Sequence, residues 1–174
     1  GLTAKDGSYS KQEFIDLQRM GLEYGVRIIP EIDIPAHSLA FAHYKPEIAS
    51  RKYGMDHLDL YKKETYQFVD SLLDEYLSGD NPVFIGDLHI GTDEYNKKEA
   101  EQYRYFTDRY LKFVEKYGKN VRMWGGLKWL PGKTSVKAEG VTVNAWSYDW
   151  VDPVVSLQEG YKLINTCDTY LYIV

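Results

Sequence analysis

The chain has 174 residues, 44% of them hydrophobic and 27% charged, which suits one globular domain with a buried core and excludes disorder or a collagen-like repeat. Twenty-one Lys and Arg against 26 Asp and Glu leave a net charge of -5, with no basic block to track a phosphate backbone, so nucleic acid is not an expected partner. No apolar run reaches the ~18 residues of a membrane span, and the lone Cys167 offers neither an internal disulfide nor a zinc knuckle.

Ser10-Lys11-Gln12-Glu13 reads as a capping box, and Phe14, Leu17, Met20 and Leu22 follow it, predicting a helix over 11–24 that Gly25 closes. The β-branched run 26–33 predicts a buried strand whose length Pro30 and Pro35 limit. Apolar Phe68, Leu72, Leu73, Tyr76 and Leu77 mark a helix over 64–77, closed by the turn residues 78–82. A second strand is expected at 83–90, a long helix at 97–117 ended by Gly118, and strands at 121–124 and 141–146. A short helix at 153–160 and one or two strands at 161–165 and 170–174 complete the pattern. The chain begins Gly-Leu without Met and stops inside the apolar run 170–174, so both ends are expected to be cuts.

Strands separated by helices imply right-handed βαβ units around a parallel sheet. An open doubly wound sheet usually carries a glycine-rich phosphate turn after its first strand, and this sequence has none. Its strand ends carry Asp33, Asp93, Glu94, Trp124 and Trp146 instead, the way a barrel assembles a site at its carboxyl face. The expected fold is α/β of the (β/α)8 TIM-barrel type, incomplete. About five central βα units of a barrel that needs ~250 residues fall within this chain, read as one partial catalytic domain over 1–174. The cut sheet leaves unpaired strand edges.

The strongest chemical signal is His89-Ile90-Gly91-Thr92-Asp93-Glu94 at a strand end. Adjacent carboxylates can take opposite duties when their surroundings drive their pKa values apart, one kept as an acid and one kept ionised. The same pair serves equally as the acidic start of the helix from 97. The second signal is Pro30-Glu31-Ile32-Asp33-Ile34-Pro35-Ala36-His37-Ser38, where two prolines stiffen a loop carrying Asp33 and His37. Trp124 and Trp146 end the next strands, and such aromatic walls suit the CH faces of sugars.

Together these two motifs closely resemble glycoside hydrolase family 20, the β-N-acetylhexosaminidases and lacto-N-biosidases, and the agreement extends over nearly the whole chain. The resemblance implies a retaining mechanism without an enzyme nucleophile, in which the substrate's 2-acetamido oxygen attacks the anomeric carbon, an exception to the two-carboxylate rule. It makes Glu94 the general acid and base, and Asp93 the group that orients the acetamide. Asp33, His37, His89, Trp124, Trp146, Tyr170 and Tyr172 become substrate-binding residues. Tyr170-Leu171-Tyr172 stands where many members have Tyr-Leu-Asp, so recognition of a terminal sugar hydroxyl is altered and a disaccharide-releasing lacto-N-biosidase stays open. Ala36 stands where a Gly is usual. The resemblance implies an oligosaccharide or glycoconjugate substrate, no metal, no cofactor, and partner segments of the barrel in a longer parent chain.

Two rivals belong to other classes. Asp33, His37, Asp87, His89, Asp93 and Glu94 include metal-ligand types, yet no HExxH helix or HxH pair is present, and alternation puts Asp87, His89 and Gly91 on one wall. Sixteen Tyr and four Trp would suit a non-catalytic sugar-binding module, which has no need of the Asp93-Glu94 pair. His43 and His57 are read as surface residues.

Overall fold

Helix α1 (Lys11–Glu23) begins at the capping box: the Ser10 N–H donates to Glu13 Oε2 at 2.7 Å and the Glu13 N–H to Ser10 Oγ at 3.2 Å. The computed structural model describes residues 2 and 4–173. Strand β1 (Glu31–Ile34) takes only the second half of the expected run. Pro30 has no N–H for a ladder; its carbonyl accepts from the His89 N–H at 2.9 Å, while the Val26 N–H turns back to the Gly21 carbonyl at 2.8 Å.

After β1 come three elements that the sequence reading lacked: α2 (Leu39–Tyr44) and the antiparallel hairpin of β2 (Ala49–Ser50) and β3 (Gly54–Leu58). Then follow α3 (Lys63–Leu77) and β4 (Leu88–Gly91). The strand expected at 83–90 starts late because the amides before it are engaged elsewhere, Phe84 on the Tyr76 carbonyl and Ile85 on Gln18 Oε1. Helix α4 (Ala100–Glu115), β5 (Val121–Met123), β6 (Val141–Ala145), α5 (Pro153–Gln158) and β7 (Lys162–Asn165) complete the sheet.

The expected strand at 170–174 is overturned. Residues Asp168–Leu171 form a helical turn, α6, and Val174 lies outside the described residues. Asn165 Oδ1 accepts from the Cys167 N–H and Asp168 Oδ1 from the Thr169 N–H. Such local side-chain bonds offer the backbone a turn in place of a ladder.

The main sheet runs β1-β4-β5-β6-β7, every neighbouring pair parallel. The order never reverses, so the sheet curls in one direction as an incomplete (β/α)8 barrel and has no doubly wound switch point. Within the main sheet, among the described residues, the β5–β6 link is the one without a helix. Glu31 lies opposite His89, His89 opposite Arg122, and Arg122 opposite Thr142. Period two then puts Asp33, Gly91, Trp124, Asn144 and Trp146 on the same inner face, nearer the carboxyl rim. The other parity, Ile34, Leu88, Ile90, Val121, Met123, Val141 and Val143, is buried under the helices.

Helix α4 supplies much of that cover. Tyr103, Phe106, Thr107, Tyr110, Leu111 and Val114 recur at three- and four-residue spacing and are wholly buried. Each of its large apolar side chains contributes about 1.5–3 kcal/mol through burial. Among the described residues no helix is long and apolar enough to cross a membrane.

Candidate active site

The carboxyl ends of β1 and β4 meet at Ile34 and Gly91. Gly91 has φ 67°, and a Cβ there would stand 1.7 Å from Asp33 Oδ1. Only glycine lets the Asp33 carboxyl lie against β4. Around this contact three non-glycine residues adopt left-handed backbone: His37 (φ 52°), Thr92 (φ 75°) and Glu94 (φ 48°). Such angles cost about 1–3 kcal/mol each and persist only when neighbours impose them.

The neighbours are identifiable. The Tyr103 hydroxyl, carried by α4, donates to the Thr92 carbonyl, and the Trp124 N–H donates to the Gly91 carbonyl at 2.9 Å. Ser38 Oγ donates to the carbonyls of Asp33 and Ala36 at 3.2 and 2.9 Å. Ala36 is buried, and the left-handed angle falls on His37. The turn into α4 is capped by Asn96, whose Oδ1 accepts from the Lys98 N–H at 3.0 Å. Asp93 and Glu94 are therefore not its capping groups.

Both acids face one imidazole. His37 Nε2 is 3.0 Å from Glu94 Oε2 and 3.6 Å from Asp93 Oδ2. The partner of His37 is thus Glu94, while Asp33 turns to Asp93. The Oδ1 atoms of Asp33 and Asp93 are buried with no hydrogen-bond partner. Burial, and after it the charges of Asp93 and Glu31, push the Asp33 carboxyl up to about 8. Burial also raises Asp93, with the nearby His37 acting against it. Two acids crowded in this way keep one proton between them more readily than they lose both, which leaves the pair a single negative charge.

Asp33, His37 and Asp93 bring ligand-type atoms within 4.8 Å of one another.

His89 is buried, its ring 4.6 Å from that of Trp124. Burial and, after it, Arg122 hold its pKa down to about 4, and its Nδ1 accepts from the Gly91 N–H at 3.1 Å. The 3.5 Å approach of Glu31 Oε1 to Nδ1 is therefore not an ion pair. Glu31 instead accepts from the Trp124 indole N–H at 2.6 Å, a link that works against the upward pull of burial on its carboxyl. The sequence reading passed over Glu31 as a site residue, although it lies two positions before Asp33 and so on the same face.

The aromatic candidates divide. Trp146 sits on the inner face with its Nε1 buried and unpartnered, its ring 5.8 Å from Trp150. Tyr172 is half exposed, and its hydroxyl pKa is raised by burial and then by the charge of Asp168, with Asp93 and Glu31 adding to it. Tyr170 is exposed, its ring tilted 6.4 Å from that of Tyr148. The structure thus gathers Asp33, His37, His89, Asp93, Glu94 and Trp124, brings Tyr172 near, and leaves Tyr170 apart.

Comparison with known proteins places this rim in context. The sequence profile of "Glycosyl hydrolase family 20, catalytic domain" matches residues 3–174. A β-hexosaminidase of Arthroderma benhamiae is 29% identical, covering 90% of this chain and 31% of that protein. A lacto-N-biosidase of Bifidobacterium bifidum is 24% identical over 90% of this chain and 16% of its own length. A point mutant of Streptomyces plicatus β-hexosaminidase in complex with product (GlcNAc) superposes with a TM-score of 0.71 at 26% identity, covering 90% of this chain and 33% of that one. The β-N-acetylhexosaminidase of Streptomyces coelicolor gives 0.71 at 27% identity, over 91% and 34%. The chain spans about a third, or less, of the length of these relatives.

Proposed function

The chain belongs to glycosyl hydrolase family 20, and from that premise we propose that 1–174 is one partial catalytic barrel domain whose parent protein hydrolyses terminal β-linked N-acetylhexosaminides of oligosaccharides or glycoconjugates. The observation that supports this reading is one imidazole facing two adjacent acids, with a third acid, Asp33, gathered beside them.

In the proposed reaction the acetamido oxygen of the substrate attacks C1 as Glu94 gives its proton to the glycosidic oxygen, and the C1–O bond breaks with release of the leaving alcohol. The intermediate is an oxazolinium ion. Asp93, holding the one charge of the Asp33–Asp93 pair, accepts the acetamide N–H and balances the positive charge that spreads over the new ring. Water then attacks C1, Glu94 takes its proton, and the acetamide re-forms with retention. His37 holds Glu94 in reach of the bridging oxygen. Trp124, fixed by Glu31 and His89, walls the acetamide side, with Trp146 and Tyr170 as further wall residues once the remaining barrel segments are in place.

A second reading is favoured by Tyr172. Its hydroxyl senses the charges of Asp168, Asp93 and Glu31, and it takes the place where many members carry a carboxylate for a sugar hydroxyl, which suits release of a disaccharide in the manner of a lacto-N-biosidase.

The test is to assay the full-length parent on two aryl glycosides that differ only in the 2-acetamido group. Turnover should require that group, and Glu94→Gln should lower it by roughly two to four decades. Equal rates on the plain glucoside, or full activity in the Glu94 variant, overturn the proposal.

A further inference from the structure

Glu94 borders a second space besides its contact with His37. An open groove of about 500 Å³ is lined by Glu94 together with His57, Asn96, Lys97, Lys98 and Trp129, and neither Asp33 nor Asp93 reaches it. The general acid must touch the oxygen between two sugars. The groove beside it that lacks the acetamide-binding carboxylate is then the place of the departing sugar. This inference rests on the proposed function of the same site.

The charge of the groove is unusual for a chain of net charge -5. Lys97 Nζ lies 4.6 Å over the Trp129 ring, which packs 5.2 Å from Trp150. The acids near the groove already have partners. Asp56 Oδ1 contacts His57 Nδ1 at 3.0 Å, and Glu99 is held by Lys52 at 2.7 Å with the hydroxyls of Tyr53 and Tyr61. Among the described residues neither Lys97 nor Lys98 is in an ion pair; Glu94, the carboxylate lining the groove, contacts His37, and Glu99 binds Lys52. An ammonium already ordered on an indole face loses less side-chain freedom when it meets an anion.

We infer that this groove is a leaving-group subsite selective for a departing sugar that carries an anionic group, a sulfate ester or a uronate carboxylate, recognised by Lys97 on its Trp129 platform with Lys98 beside it. His57, expected at the surface, is half-buried, its ring tilted 5.3 Å from that of Tyr95 as one wall of the groove.

The experiment uses the full-length parent and three disaccharides with N-acetylglucosamine β-linked to galactose, to galactose sulfate, or to a uronate. Their leaving alcohols are similar, so the ratio of kcat/KM reads the subsite. The anionic substrates should be favoured about three- to tenfold at ~0.05 M salt and fall toward parity at ~0.5 M. The double variant Lys97→Gln/Lys98→Gln should bring the ratio near one, Trp129→Leu should lower it partway, and Lys97→Arg should keep it. Preference for sulfate alone or uronate alone identifies the source of the charge. Glu94-dependent turnover with a ratio of one in the wild type overturns the subsite and leaves the proposed function standing. If no disaccharide is cleaved, the proposed function fails, and calorimetric binding of the same three compounds to Glu94→Gln decides the subsite: equal affinities overturn it.

Discussion

Glu99, at the start of α4, and Asp33, at the end of β1, are both carboxyl groups withdrawn from water, yet they meet opposite company. Glu99 is 7% exposed and accepts from Lys52 Nζ and from the hydroxyls of Tyr53 and Tyr61. Those donors, with Lys52 first, hold its pKa down to about 2. Asp33 is pressed against Asp93 and Glu31, and burial with their charges pushes it up to about 8. An acid surrounded by donors fastens the hairpin region to a helix. An acid surrounded by acids stores a proton and concentrates charge on a neighbour, an arrangement with no structural profit of its own.

That contrast predicts two separate kinds of damage. Asp93→Asn should cut kcat/KM on an N-acetylated aryl glycoside by about two to three decades while the thermal midpoint changes little, since the neutral amide relieves crowding. Steady-state kinetics beside thermal denaturation checks this, and a large stability loss with mild kinetic loss would break the distinction. Glu99→Gln should do the reverse, removing about 1–3 kcal/mol of stability in urea titration because charged and phenolic donors lose their acceptor, with turnover of a neutral substrate nearly kept.

The smallest effect is a pH slope. Asp33 binds its proton more tightly folded, at about 8, than at the ordinary 3.8, so its contribution to stability is complete below pH 3.8 and is lost as pH rises through 8. His89 runs the other way, about 4 folded against 6.5. It supports the fold above pH 6.5 and loses that support as pH falls toward 4. Of these two groups only Asp33 titrates between pH 6.5 and 8. The thermal midpoint should fall across that interval in the wild type and stay flat in Asp33→Asn; matching slopes would remove the shared-proton account.

The helices α1, α3 and α4 were legible because their apolar residues recur at helical spacing and their ends carry a capping box or turn residues. Strand lengths were not. Residues 26–30 and 83–87 have strand-like composition, but their amides bond to α1, α3 and Gln18, competition that composition does not reveal. The hairpin at 49–58 was missed because Gly54-Met55-Asp56-His57-Leu58 has no alternation to read. Within the site, Asp93, Glu94 and His37 stood out as motif residues. Glu31 was hidden, since only the pairing with β4 sets it beside His89 and Trp124. Lys97 and Trp129 are 32 positions apart in sequence, and only the fold joins them.

The left-handed backbone at His37, Thr92 and Glu94 has a consequence for how the rim is held. For Thr92 and Glu94 such angles run against local preference, and the Tyr103 hydroxyl on the Thr92 carbonyl and the Trp124 N–H on the Gly91 carbonyl hold that stretch. The posture of the acids therefore depends on side chains and strands far away in sequence, and a cavity cut at Tyr103 should reach the rim as well as the core.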